Sequence, residues 1–306
     1  MSRLDLKKGI ALVLVLWAVA LLSALAMAAS ASFRGFAAVI SVSQDKAKAG
    51  VLLNAGLEAA AAVAGHLGDA PLTDRTFDIT LATGSAHVRL SDEAGRIDIN
   101  KAPVKLLTAL LRSVGIDNAE ALAKAIDAAR THSDAAPGQT NAASSTTGGA
   151  NQSPLSDAGS DKPPAFTDVA QLGRIVGLTP DVIAAIAPLV TIFGNEKINA
   201  LTAPSEVLDV LPNVTRAQVA ALLDARLRPG LNEGQAQAVL GSAGDFVTAP
   251  KKRSAASVEI TARLVDGYGE AATATIIVLP HDSSAYRVLR WSPAAFDRGA
   301  IAETEP

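Results

Sequence analysis

The side chains of this chain that could do chemistry are few and far apart. Its histidines, His66, His87, His132 and His281, fall at a helix end, on a strand, in a loop and in a turn. No two of them stand four residues apart, the spacing by which one helix face offers two nitrogens to zinc. Cysteine is absent from all 306 residues, which removes thiolate metal sites, cysteine nucleophiles and disulfide staples together while leaving the compartment open. "GYG", Gly267 to Gly269, reads as a turn, and the chain holds neither a phosphate loop nor a nucleophile elbow. "KKR", Lys251 to Arg253, is a basic cluster that reads as a solvated linker. None of these groups carries catalysis, so the chain is expected to be non-enzymatic. With 27 basic against 30 acidic residues and a formal net charge of -3, no global attraction to nucleic acid or anionic lipid is expected either.

The elements that would position any function begin with the stretch "KKGIALVLVLWAVALLSALAMAASASF", Lys7 to Phe33, in which no charge follows Lys8. At roughly 1.5 Å of rise per residue it is long enough to cross a hydrocarbon core of about 30 Å as a helix. Arg3, Lys7 and Lys8 before it keep the amino terminus in the cytoplasm and send the rest across. A cleaved secretory signal is the rival reading, because Ala26-Met27-Ala28 and Ala29-Ser30-Ala31 both offer a small-x-small site. Helical character, however, continues past Ser32. No proline occurs before Pro71, and Phe33, Phe36, Ala37, Ile40, Ala47, Val51 and Ala55 recur at the spacing of one buried stripe. Gly35, Gly50 and Gly56 admit bends.

At Lys8-Gly9-Ile10 a charged leader meets the apolar run at a glycine. This junction resembles the leader of type IV prepilin-like proteins, which a prepilin peptidase cuts after the glycine. The resemblance implies that Gly9 is the last leader residue and that Ile10 becomes a methylated mature amino terminus. Most family members carry glutamate at the fifth mature position, where this chain has Leu14. A carboxylate inside a bilayer is costly without a cation to meet, and Leu14 has no such partner to seek. Within the family that absence is typical of the K-type minor pseudopilin of the type II (general) secretion pathway.

Beyond Pro71, "RTFDITLATGSAHVRL" reads as a hairpin hinged at Thr83-Gly84-Ser85, and "SDEAGRIDIN" adds a turn at Ala94-Gly95 and a short strand. The next strands are "SVEITARLV", "EAATATIIVL" and "AYRVLRW" near the carboxyl end. Isolated two-stranded ribbons are only marginally stable, so one antiparallel sheet built from both ends of the chain is the economical arrangement. The middle is then a helical insertion, and it is partly duplicated. "RIDINKAPVKLLTALLRSVG" and "KINALTAPSEVLDVLPNV" superpose with Ala102-Pro103 on Ala203-Pro204 and Ile97 on Ile198, each an extended piece followed by a helix with proline in its first turn. Thr179 and Pro180 open another helix. From His132 to Pro164 the chain has almost no apolar bulk and is expected to be a flexible loop.

"DEAGRIDINKAP", "GLTPDVIAAIAPLVTIFG" and "KINALTAP" resemble, in order, recurrent signatures of the same K-type pseudopilin, so the likeness covers nearly the whole chain. It implies an α+β fold: a pilin-like long helix on an antiparallel sheet, with an all-helical domain between strands. The expected division is leader 1–9, membrane and assembly helix 10–33, periplasmic helix 34–71, sheet 72–99 with 254–291, and insertion 100–253 with its loop 132–164. The resemblance further implies a subunit in the inner membrane with its carboxyl-terminal domain in the periplasm, at the tip of a pseudopilus that supports export of folded proteins. Its partners would be the I-type and J-type minor pseudopilins, the rest of the pseudopilus and the prepilin peptidase, with no nucleic acid. The family also holds calcium near the loop after the first helical repeat, where this chain offers Asp127, Asp134, Asp157 and Asp161, widely spaced for an ion that takes six to eight oxygens.

An alternative is carried by "LPNVTRAQVAALLDAR", with echoes in "LRSVGIDNAEALAKAI" and "LGRIVGLTPDVIAAI". These resemble helix-hairpin-helix modules that grip DNA phosphates, as in a membrane-anchored or exported competence-like protein. Phosphate gripping needs converging backbone N-H groups and local positive charge. The hairpin at Asn213-Val214-Thr215 has no glycine, and Asp117, Glu120 and Asp181 lie near the other two. Helical pairs used for packing are the competing reading.

Overall fold

The computed structural model describes residues 3–68, 70–132, 166–228, 230–250, 255–279, 282 and 284–296, with α1 side chains described over 14–27 and 39–66. The chain opens with one helix, α1, Arg3–His66, whose 64 residues span roughly 95 Å without a break. Strands β1, Arg75–Leu81, and β2, Gly84–Asp92, form the expected hairpin, with the strands resuming at Gly84 itself. A Cβ on Gly84 would stand 2.1 Å from the Arg263 carbonyl oxygen at a φ of +153°, so glycine is required there.

Between β2 and the later strands lies the insertion. Its first half runs β3, Ile97–Asp98; α2, Val104–Ser113; α3, Ala119–His132; α4, Pro180–Ile186; β4, Val190–Thr191. Its second half runs β5, Ile198–Asn199; α5, Ser205–Leu208; α6, Arg216–Arg226; α7, Glu233–Leu240; β6, Val247–Thr248. The chain then returns through β7, Ala256–Leu264; β8, Gly269–Val278; and β9, Tyr286–Ala294.

The sheet has the order β1-β2-β7-β8-β9, antiparallel throughout, so the two ends of the chain meet at the β2–β7 pair. Alternation along the strands sends Val88, Leu90, Val258, Ile260, Ala274 and Ile276 to the α1 side, where they pack on Leu52, Leu53, Leu57 and Ala60. Here the expected stripe on α1 is corrected. Ile40 and Val51 are 56% and 59% exposed and Ala47 is exposed, while Ala49, Leu52, Leu53, Leu57, Ala60, Ala61 and Ala64 are buried. An alanine-rich helix is apolar on nearly every side, and the sheet, not the spacing, selects which side it covers.

The short strand after Gly95 also differs from expectation. β3 leaves the main sheet and pairs in parallel with β4, as β5 does with β6, so each half of the insertion is tied into a loop of its own. The duplication extends to single hydrogen bonds. Ile99 N-H donates to the Thr191 carbonyl at 3.0 Å, and Ala200 N-H to that of Thr248 at 2.7 Å. Pro103 and Pro204 are N-caps, one place ahead of the first turn. Arg130 donates through Nη1 to the Ala102 carbonyl at 2.8 Å, and Arg226 through Nη1 to the Ala203 carbonyl at 2.8 Å. Burial pulls the pKa of Arg226 down to about 10, which leaves it charged at neutral pH. Both halves share one apolar core that includes Leu106, Leu110, Leu172, Leu208, Leu222 and Leu240.

Candidate functional site

Two regions combine an unusual sequence with an unusual environment: the bare part of α1, and the joint where the sheet becomes the insertion. On α1, Leu14–Met27 is an apolar run, and Leu14, Trp17 and Met27 are 66%, 71% and 74% exposed. Surface of this kind on a rod needs a partner, lipid or protein, because exposed apolar area costs on the order of 25 cal/mol per Å² in water. Gly9 and Ile10 lie within the same helix. Val39–His66 is apolar too, with a mean hydropathy of 1.2, but 44% of its most apolar window is buried in the chain's own core. That part of α1 belongs to the sheet.

At the joint, two consecutive carboxylates leave β2 and each takes one half of the insertion. Asp92 Oδ2 accepts from Asn199 Nδ2 at 3.0 Å and from Thr202 Oγ1 at 2.8 Å, while its Oδ1 caps the following turn by accepting from Ala94 N-H at 3.1 Å. Glu93 accepts from the Thr191 hydroxyl and lies 3.6 Å from Arg96. Both carboxylates are 4% exposed. Gly95 completes the contact, since a Cβ there would stand 3.0 Å from the backbone of Thr202 and Ala203. On the other side of the joint, Arg290 of β9 pairs with Asp168, across an open cleft of about 650 Å³ between the sheet and residues 168–193. The buried, hydrogen-bonded carboxylates of Asp92 and Glu93 hold the sheet and the insertion in one orientation. In the sequence Asp92 is only a letter of a motif and Gly95 only part of a turn, because their partners lie more than a hundred residues away.

The three hairpins are packing devices. Gly115, Gly177 and Asn213 each take a positive φ, of 81°, 100° and 60°, so Asn213 fills the left-handed place that glycine fills in the other two. The next residue in each, Ile116, Leu178 and Val214, packs into or against the insertion core. Lys105 and Arg112, near the first and third, share a cleft with the acidic Glu120 and Asp209, and Glu120 pairs with Lys124 at 2.7 Å.

Of the calcium candidates, Asp127 is on α3, where its Oδ1 accepts from Arg130 Nη2 and Nε at 2.5 and 2.9 Å. Asp134, Asp157 and Asp161 lie outside the described residues, as do residues 133–164 of the expected loop, Lys251 to Arg253 and His281, while His132, expected to begin that loop, is the last residue of α3. Among the described residues no three His, Cys, Asp or Glu side chains converge as a metal site. His87 Nδ1 lies 2.7 Å from Asp78 Oδ1 on the outer hairpin, and His66 Nδ1 lies 2.7 Å from the Ala62 carbonyl.

Comparison with known proteins adds two findings. Residues 82–195 match the family model described as "Type II secretion system (T2SS), protein K". Among solved structures, a chain of the crystal structure of the GspK-GspI-GspJ complex from the enterotoxigenic Escherichia coli type 2 secretion system is similar, with a TM-score of 0.55 and 14% identity, covering 84% of this chain and 99% of that one. At that identity the likeness is one of fold. No curated protein matches the chain in sequence. The matched segment runs from the β1–β2 turn through the joint to just past β4, so what this chain shares is the sequence of that segment with protein K of the type II secretion system and, around it, the fold of a chain in the similar solved complex.

Proposed function

We propose that the chain is a non-enzymatic structural subunit that caps the tip of a periplasmic pseudopilus and supports export of folded proteins across the outer membrane. The single observation that carries this reading is the bare apolar rod of Leu14–Met27 continuing, as one helix, into a sheet that bears a large rigidly jointed insertion. A rod of that kind bundles with sister rods in a bilayer and then in a fibre. The insertion adds bulk beside the sheet and obstructs another subunit above it. Leu14, where a carboxylate would seek a neighbour's amino terminus, leaves the subunit without the contact that would draw it beneath an earlier one.

In this reading the prepilin peptidase cuts between Gly9 and Ile10, the new amino terminus is methylated, and the protein is a single-pass inner-membrane subunit with its folded domain in the periplasm. Its direct partners are I-type and J-type minor pseudopilins, the company named for the similar solved complex. Sequencing the mature amino terminus from membranes tests the route: Ile10 is expected, and a start near Ser30 or Ser32 overturns it.

A further inference from the structure

A helix is about 10 Å across, while five strands spaced about 4.8 Å apart span close to 20 Å, so one helix leaves part of a sheet face bare. α1 lies over the middle of the sheet: Gly56 sits against Val88 and Ile260, and Gly65 faces Val278. β9 falls outside that cover. Trp291 pairs with Ala274 and Val288 with Ile276, so both share the face on which Ala274 and Ile276 are buried under α1. Trp291 and Val288 are nevertheless 41% and 43% exposed.

The side of α1 that borders β9 is marked by the Tyr286 hydroxyl donating to Glu58 at 2.8 Å. Val51 and Ala47 continue from Glu58 along one line of the helix, two and about three turns earlier. Both are exposed. Beside them is Gly50, in the middle of a helix, where a Cβ would meet nothing within 4 Å. Glycine weakens a helix interior, and among the described residues no contact requires it here.

We propose that the groove between α1 and β9 receives the helix of a neighbouring pilin-type subunit, lying alongside α1 and covering Val288 and Trp291. The inference rests on the pseudopilin reading and assigns it a contact face. A helix packed 8–10 Å from α1 falls over β8 and β9, and the groove runs on toward the exposed Ile40 and the bare rod. Small residues at Ala47 and Gly50 let two backbones approach closely. A strand is the poorer occupant. It would add to the outer edge of β9, where the break in register after Thr275 and Pro293 spoil the ladder, and would leave the bare face uncovered.

The test uses the full-length chain co-expressed with I-type and J-type partners in membranes. Gly50→Leu is expected to keep or raise thermal stability while lowering partner co-purification about tenfold, and Trp291→Glu to lower it similarly. Because the chain has no cysteine, a benzophenone maleimide on Trp291→Cys reports one site, and it is expected to cross-link an I-type or J-type subunit. Wild-type co-purification by a folded Gly50→Leu, or cross-links only to lipid or to a second copy of this chain, overturns the proposal. Leu16→Cys on the bare rod is the control. Partner capture from position 16 but not 291 removes the groove and leaves the pseudopilin reading standing; capture from neither removes both.

Discussion

Asp98 and Asn199 stand at the same point of two copies of one turn: the Oδ1 of each accepts from the backbone N-H two residues on, at 2.7 and 3.0 Å. They differ at the other atom. Asn199 Nδ2 donates to Asp92, whereas Asp98 Oδ2 is buried with no hydrogen-bond partner in a residue that is 0% exposed. Desolvation raises the Asp98 pKa above its ordinary 3.8, against the opposing pull of backbone donors at Asn100, Gly194 and Lys101 and of the Lys101 charge. The ionised form therefore opposes folding. Its cost is absent below the unfolded pKa, grows as pH rises through the folded one, and is constant above it. Asp98→Asn is expected to raise stability at neutral pH, to leave it unchanged at pH values below 3.8, and to flatten the intervening slope. Urea unfolding across that range checks it, and equal stability of the two proteins at neutral pH would contradict it.

Asp92 is the opposite case, a buried carboxylate with every neighbour in use. Asp92→Ala strands the Asn199 amide, the Thr202 hydroxyl and the Ala94 N-H. A loss of about 2–4 kcal/mol is expected in the unfolding free energy, because orphaned buried donors cost more than the bonds were worth. A loss well under 1 kcal/mol would show that the joint is held elsewhere.

Two glycines are expected to respond in opposite directions. Gly95→Val drives a side chain into the Thr202–Ala203 backbone and is expected to cost about 1–3 kcal/mol, since main chain cannot swing aside. Gly50→Ala enters open space in a helix and is expected to add about 0.5–1 kcal/mol. Thermal melts of both variants against the parent read the contrast directly.

Leu14→Glu restores a carboxylate to the exposed rod. Peptidase processing is expected to proceed as before, while tip assembly is disturbed, read as altered recovery of I-type and J-type partners and reduced secretion. Unchanged recovery and unchanged secretion would remove the capping role assigned to Leu14.

Local patterns made much of the architecture readable from the residues alone. Alternation announced the strands of the two-ended sheet, Thr179 and Pro180 announced α4, and the Ala-Pro repeats announced a duplicated turn. The apolar run was equally plain, because a run is read along one dimension, and it returns as the exposed Leu14–Met27 stretch of α1. Strands of two residues, such as β3 and β5, carry no periodicity, so their departure from the main sheet had no local sign.

What the sequence by itself determined is a long apolar rod, strands at both ends of the folded part and a helical middle. Tertiary structure alone decided which side of α1 is covered, since Ile40 and Val51 are close to Leu52 and Leu57 in hydrophobicity yet stay exposed while the leucines lie against the sheet. It also decided that Asp92 would meet Asn199 and Thr202. Hydrophobicity is without direction and can bury any of several faces, and a hydrogen bond between distant residues exists only once packing has brought donor and acceptor within 3 Å.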